Sequence, residues 1–597
     1  PIGTAQPDPA AAEAPPDPPV AETLPDPPAA DAPPDPPAAD APPAPAALAE
    51  PLLAAPEPAA PTPALPFAWA DRLFGRHRAT AEWAVPLAAF MLVAIIVSFN
   101  HELWRDEVRA LDIVDASTTP IDLLTNLHNE GHPALWYLIL WIGTIGGHAM
   151  WMLKPIAIAI AGAAAYLFLR RAPWPLSTRA LFIFSVYPLY EMAVMCRNYG
   201  ISLLAFIGVC IAWPSRWRQP VWLAAALAVL ANCNALSLLA TGALAFAWLA
   251  ELVVSRRWRG QGAQGGERLS GAALLVVAGM AFSALVIKPD DNSQAMRVHH
   301  PTPEMFVAAA RGFLDRPEAI FPEVLGNVAA DTRISQPIAP GAPLSLLGRA
   351  AFWVFTVYLG LASWPLAVAW LVGTVSFGVF RHLVYPFYSR HFSIIFVFMV
   401  ALAWLATEAI GPRATGLRRW LDRGVRAALP LMFAILVCAA YSVLERDLTS
   451  SLSSAKAFGE LIASRADLTD ALVIGEPDYL LETLPYYAPR NPVYLARERR
   501  FMPGPVSFTL ANQAELSLDQ LLDIAHERQR ATGRRVLIAI GSGLKLSPIG
   551  PFALSHGLAK HFTYDERSYQ RLYKEAFPLA VFERAVGDER YTVFQLL

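Results

Sequence analysis

The chain has 597 residues, 55% of them hydrophobic and only 16% charged, whereas soluble domains carry about a quarter charged residues. An ordinary water-soluble protein is thereby excluded, and a net charge of −3 supplies none of the basic excess that nucleic-acid binding uses. Cys196, Cys210, Cys233 and Cys438 all fall in apolar stretches; without metal or disulfide spacing they read as small buried hydrophobes.

Residues 1–66 are rich in Pro, Ala and Asp and repeat DPPAADAPP in tandem at 26–34 and 35–43. Such a segment cannot bury enough apolar surface to fold, and it is expected to be disordered with polyproline II character. From residue 83 the composition changes. Apolar runs occupy 83–100, 149–169, 178–195, 198–214, 219–235, 236–254, 270–288, 346–363, 365–380, 391–410 and 428–445, the length range of membrane-crossing helices. A further run, 133–146, is short for a span.

Arginine clusters assign the sides through the positive-inside rule. They occur at Arg72/Arg76/Arg78, Arg170/Arg171/Arg179, Arg216/Arg218, Arg256/Arg257/Arg259/Arg268 and Arg413/Arg418/Arg419/Arg423/Arg426. If 133–146 does not cross, all five clusters fall inside. The sequence therefore predicts about eleven spans over 67–446, a cytoplasmic amino terminus and an extracytoplasmic carboxyl terminus. The outer face then receives 101–132, the turn at 196–199, the turn at 232–234, the loops 289–345 and 381–391, and the tail 447–597.

The first outer loop opens with HELWRDEVRALDIV, 101–114. On a helix Trp104, Val108, Leu111 and Val114 form one stripe, and Glu102, Asp106 and Arg109 another. An interfacial amphipathic helix is expected, with its carboxylates toward water or a cavity. A second helix should start at Thr119 and Pro120, favoured by Asp122, and end at Gly131. In later loops, Asn232 and Asn234 read as turn residues and Asp290 and Asp291 as solvated. Thr302-Pro303-Glu304 starts an amphipathic helix over 305–314.

The tail, 447–597, reads as a soluble α/β domain. ALVI (471–474), PVYL (492–495) and RRVLIAI (534–540) are strand-like, YTVFQL (591–596) suits an edge strand, and 477–487 and 516–530 have helical patterns. GSGLKLS (541–547) lacks the Walker spacing and reads as a turn. The fold class is thus an all-α polytopic membrane domain with juxtamembrane helices, followed by an α/β domain.

WRDE (104–107) after the first span, followed by EGHPALWYLIL (130–140), is similar to the membrane glycosyltransferases of the C-type fold. Within these it most resembles the family 39-like branch, which includes protein O-mannosyltransferases and lipid A aminoarabinose transferases. Arg197-Asn198-Tyr199 in an outer turn and Ser389-Arg390-His391 opening a late span resemble that branch too. The resemblance covers roughly 83–446. Ala134 stands where the family has a second proline, and the loop 289–345 does not align.

The resemblance implies a bacterial-type inner-membrane enzyme. It would transfer a sugar from a polyprenyl-phosphate carrier to a lipid, glycan or protein acceptor outside the membrane. Asp106 then takes the family's first-loop acid role, as general base for the attacking hydroxyl. A leaving phosphate needs neighbouring positive charge rather than a second acid, and Arg197, Lys288, Arg390 and His391 are the candidates. His132 has three open roles: orienting the acid, touching phosphate or capping its helix. Glu107 is placed with the substrate-binding residues, and with Asp106 and His132 it is a candidate divalent-cation ligand; no cofactor is required. Tyr199, Tyr385 and Tyr388 either stack on sugar or belong to the interfacial aromatic belt. Two other classes are carried. A transporter or flippase would use ionisable groups within spans, such as Lys154 and Glu191; a noncatalytic assembly subunit would bind partners through its tail.

Overall fold

The computed structural model describes residues 78–144, 150–255, 263–291, 293, 298, 300–317, 343–507, 509, 514–550, 552–556 and 560–597. The proline-rich segment 1–66 lies outside them. Long apolar runs give long helices: α1 (Arg78–Asn100), α5 (Met150–Arg171), α9 (Ala235–Val254), α10 (Ala263–Val286), α12 (Pro343–Ala362), α13 (Trp364–Leu383), α14 (Ser389–Ile410) and α15 (Gly416–Thr449). Each of these eight contains a stretch long and apolar enough to cross a membrane, as a multi-pass membrane protein requires.

Shorter helices fill the gaps: α2 (Arg105–Asp115), α3 (Pro120–Asn126), α4 (Leu135–Gly143), α6 (Leu176–Ile183), α7 (Tyr199–Ala212), α8 (Pro220–Ala231) and α11 (Pro303–Asp315). The run 178–195 is not one helix. α6 stops at Ile183, and a π-helical segment follows over Tyr187–Val194. Pro188 cannot donate a backbone hydrogen bond there, which favours the wider turn. The run 133–146 contributes α4, whose nine residues extend about 13.5 Å.

α14 is the central helix: 83% of its apolar window is buried, against 22–44% for the other seven long helices. Trp370 of α13 stacks on Phe398 of α14 and contacts Phe352 and Phe355 of α12, a packed aromatic seam.

The carboxyl-terminal region contains α16 (Ala455–Ser464), α17 (Leu484–Tyr487), α18 (Leu518–Thr532) and α19 (Glu566–Glu575). Its strands are β1 (Leu472–Glu476), β2 (Val493–Leu495), β3 (Arg500–Phe501), β4 (Leu516–Ser517), β5 (Val536–Gly541), β6 (Ala553–His556), β7 (Lys560–Thr563), β8 (Ala576–Phe582) and β9 (Tyr591–Leu596). The main sheet has the order β3-β2-β1-β5-β9-β8, and β4-β7-β6 form a second sheet. β1 runs parallel to β2 and β5, and β9 antiparallel to β5 and β8.

Successive residues of β1 and β5 serve opposite cores. Leu472, Ile474, Val536, Ile538 and Ile540 pack with α18, while Val473, Leu537 and Ala539 pack with Phe458 and Ile462 of α16. Both faces are thus covered, which explains the uninterrupted apolar strands. YTVFQL is not an edge strand: β8, whose AFPLAVF has no clean alternation, pairs outside it. The pattern at 477–487 breaks into a 3₁₀ turn at Asp478–Leu481 and the short α17.

Candidate functional site

α2, the first helix of the first loop, is buried rather than interfacial. Every residue of α2 from Glu107 to Val114 is buried, because the carboxyl-terminal region packs on its polar side. Arg109 donates to Glu482 (2.6 Å) and to the Val506 carbonyl (2.9 Å), and Tyr486 donates to Asp112 (2.8 Å). Burial and the neighbouring Glu482 push the Asp112 carboxyl well above the usual carboxylate range.

α3 begins as expected, with Asp122 N–H donating to the Thr119 hydroxyl at 3.1 Å. It ends at Asn126, not Gly131. Asn129 and Gly131 then take left-handed conformations, φ 73° and 69°, which turn the chain back toward His132. Asp290 is not simply solvated: Asn129 exchanges two hydrogen bonds of 2.9 Å with its carboxylate and backbone N–H. This ties the end of α10 to the first loop.

These turns line a cavity of about 490 Å³. Asp106, His132, Arg197, Tyr199, Lys288, Arg390 and His391 all reach its wall. Ala110, Trp136, Leu236, Ala284, Ile287, Phe380 and Val384 supply an apolar side. Among its lining residues are the cations Arg109, Arg197, Lys288 and Arg390, against the carboxylates Asp106 and Glu130.

Three arginines gather around Asp106. Its Oδ2 accepts from Arg197 Nη1 at 2.5 Å and lies 2.8 Å from Arg390 Nη2, while Oδ1 lies 3.4 Å from Arg105 Nε. Burial opposes ionisation, but the charges of Arg390, Arg197 and Arg105 outweigh it and hold the carboxyl well below its ordinary range. The Arg390 guanidinium lies over the Trp104 ring at 5.0 Å, and Arg197 over Tyr199 at 5.6 Å. Close packing of α7 on the π-helical segment fixes the Arg197 turn: a Cβ on Gly200 would lie 2.5 Å from the Met192 carbonyl.

His132 does not cap α4, whose first turn has no side-chain cap. Its Nε2 lies 3.4 Å from Arg197 Nη2. Burial and then the charges of Arg197 and Arg390 bring its pKa down to about 3, leaving the ring neutral. Arginine only donates, so Nε2 accepts and the ring proton belongs on Nδ1. Among the described residues, that Nδ1, Arg390 Nε and Tyr199 Oη are buried without hydrogen-bond partners. Such orphaned groups beside a cavity fit a polar ligand. At the start of α14, Tyr388 N–H donates to His391 Nδ1 at 2.9 Å, which assigns the proton of a neutral His391 ring to Nε2.

Glu107 points the other way and does not line the cavity. Oε1 accepts from Cys196 N–H at 2.7 Å; Oε2 accepts from Trp104 N–H at 3.0 Å and lies 2.9 Å from His101 Nε2. His101 Nδ1 lies 3.0 Å from Asp447, and Lys154 donates to the His101 carbonyl at 2.7 Å. Asp106, Glu107 and His132 therefore do not converge on one point. No group of three metal-competent side chains occurs among the described residues, and the proposed cation ligands do not fit a metal.

The chain matches no protein-family model and no curated protein sequence.

Sequence reasoning missed Arg109, Glu130 and Asn234 in the cavity wall. Arg109 chelates Glu130 with Nε at 2.8 Å and Nη2 at 2.5 Å. Asn234 caps α9 by accepting from Ser237 N–H at 2.8 Å. The Glu130-Gly131-His132 sequence was the available signal for Glu130.

Proposed function

We propose that this protein is an integral-membrane glycosyltransferase of the C-type fold. It moves a sugar from a polyprenyl-phosphate carrier to a hydroxyl acceptor on the extracytoplasmic side. The observation that carries this reading is the Asp106–Arg197–Arg390 cluster in the wall of a largely apolar cavity between helix ends. A lipid phosphate has that polarity, with an anionic head for the guanidiniums and an isoprenoid for the apolar wall.

In the proposed step the acceptor oxygen attacks the anomeric carbon with inversion. Its proton passes to Asp106, and the bond from the anomeric carbon to the phosphate oxygen breaks with both electrons leaving on phosphate. Arg197, Arg390 and Lys288 offset that charge. Paired with two arginines, Asp106 is a weak base. A phosphate that draws the guanidiniums to itself raises Asp106 basicity, so donor binding prepares the base. His132, neutral with its proton on Nδ1, is a hydrogen-bond donor for the head group.

The topology follows the same reading. α6 with its π-helical continuation, α7 and α8 join the eight long helices as membrane crossings, giving eleven. The amino terminus is then cytoplasmic and the sheet region extracytoplasmic. Contacts favour a common side for the site: Asp106 meets Arg390, Asn129 meets Asp290, and His101 meets Asp447. Arg426 donates to the Pro173 carbonyl (3.4 Å), joining two arginine-rich turns in one place.

The test is transfer of labelled sugar from a polyprenyl-phosphate donor by purified protein and by Asp106→Asn. Loss of about 10²–10⁴-fold is expected for removal of a general base. Equal turnover of the two removes Asp106 as base; uptake into proteoliposomes without covalent change replaces the reading with transport.

A further inference from the structure

The carboxyl-terminal sheet meets the first loop at one edge. β1 and β5 are parallel, and β9 is antiparallel to β5. The residues after β1 and those before β9 therefore emerge at the same edge of the sheet. This is the edge where open α/β sheets usually receive ligands. Here it receives α2, through Glu482, Asp588 and Glu589. Glu482 takes Arg109 Nη1 at 2.6 Å. Glu589 accepts the Arg105 backbone N–H at 2.8 Å, at the first residue of α2. Asp588 accepts from Arg105 Nη1 at 2.7 Å and from the Trp104 indole N–H at 3.2 Å.

That last contact leads directly to the cavity. Trp104 is the ring on which the Arg390 guanidinium rests, at 5.0 Å. The hydrogen bond of its indole N–H to Asp588 holds the ring in the observed orientation. The ring face so fixed supports the guanidinium that meets Asp106. None of the described residues of 447–597 lines the cavity itself, and α2 with Trp104 joins this region to the cavity wall.

We propose that the sheet region is part of the transfer site. Asp588 is a positioning residue that holds Arg390 in place through Trp104, and Glu482 and Glu589 hold the helix that carries Asp106. This inference rests on the glycosyltransferase reading for the step it serves, but the coupling of Asp588 to Arg390 does not depend on that step. A guanidinium that binds phosphate in the ground state acts mainly on donor binding. The Asp588 side chain is 35% exposed, so its truncation leaves no deeply buried cavity.

The experiment uses full-length protein in detergent and two readouts: donor KM and kcat for transfer, and the Kd for decaprenyl phosphate. Asp588→Ala is expected to raise both KM and Kd about tenfold, the scale of one charge-assisted contact, with a smaller change in kcat. Asp588→Asn keeps an acceptor for the indole and should stay within about threefold of the wild type. Trp104→Phe should match Asp588→Ala, and the double variant should be no worse than either, because the two act in series. Unchanged KM and Kd in Asp588→Ala, or single effects that multiply in the double variant, overturn the proposal. Wild-type protein that binds decaprenyl phosphate but transfers no sugar removes the transfer reading alone, and the same pattern in Kd then upholds the coupling. Wild-type protein that binds no decaprenyl phosphate overturns both.

Discussion

Glu107→Gln exchanges one oxygen for an amino group and deletes a charge at a residue with no solvent exposure. The native carboxylate serves Cys196 N–H and Trp104 N–H and pairs with His101. An amide serves only part of that set. With its oxygen toward His101, Cys196 N–H faces an NH₂; with the amide flipped, Trp104 N–H and His101 do. An orphaned buried N–H costs roughly 1–3 kcal/mol, and breaking a buried ion pair falls in the class of about 3–5 kcal/mol. Asp447 still faces the imidazolium, so we expect about 4 kcal/mol in total.

The pH dependence supplies a second check. Burial lowers the His101 pKa, but Glu107 and Asp447 outweigh burial and raise it from 6.5 to about 10. A raised folded-state value means that the stabilisation is complete below pH 6.5 and is lost as pH rises through about 10. Thermal unfolding of the detergent-solubilised wild type and variant should show the widest gap at or below neutral pH and a narrowing gap toward about pH 10. An unchanged midpoint near neutrality, or a gap that widens with pH, would refute the reasoning.

Arg390→Lys should lower transfer at least about tenfold with the protein still folded, since an ammonium cannot both lie flat on Trp104 and fork onto Asp106; steady-state kinetics decide it. His132 is held neutral above about pH 3, so kcat/KM should show no imidazole limb between about pH 5 and 8, and a limb there that disappears in His132→Gln contradicts the assignment. Burial, opposed by Arg105, raises Glu589 from 4.5 to about 8. Its stabilising contribution is therefore present below about pH 4.5 and lost as pH rises through about 8. Glu589→Gln, a mimic of the protonated acid, should unfold within about 1 kcal/mol of wild type at neutral pH and flatten the stability change over that window; a large loss at neutral pH would show an ionised Glu589.

Asp106, His132, Arg197, Lys288 and Arg390, which line one cavity, could be chosen from the sequence because motif order and the arginine pattern predict them on one face. Their adjacent residues could not be sorted the same way. Asp106 and Glu107 are neighbours on a helix, where one residue turns about 100°. Only packing decides that the first meets the cavity and the second meets His101. Arg105 and Arg109 could not be given all their buried partners from the sequence, because Asp588 and Glu482 lie more than 350 positions downstream. Strands buried on both faces, such as 472–476, announced themselves by uninterrupted apolar residues. The outer strand at 576–582 has no such regularity, and missing it made 591–596 look like an edge. Pro188 was a visible signal for the break after Ile183, hidden by the hydrophobicity around it.

α15 runs for 34 residues with Pro430 inside it, about 51 Å at 1.5 Å per residue, and its last turn carries Asp447, the partner of His101. A rod of that kind transmits rotation as well as distance. One residue inserted near its middle would swing everything beyond it by about 100° and advance it about 1.5 Å, taking Asp447 out of phase with His101 while leaving hydrophobicity almost unchanged. The length of this helix is therefore an angular setting, and drift in it would register as a lost His101 contact rather than as a weaker membrane anchor.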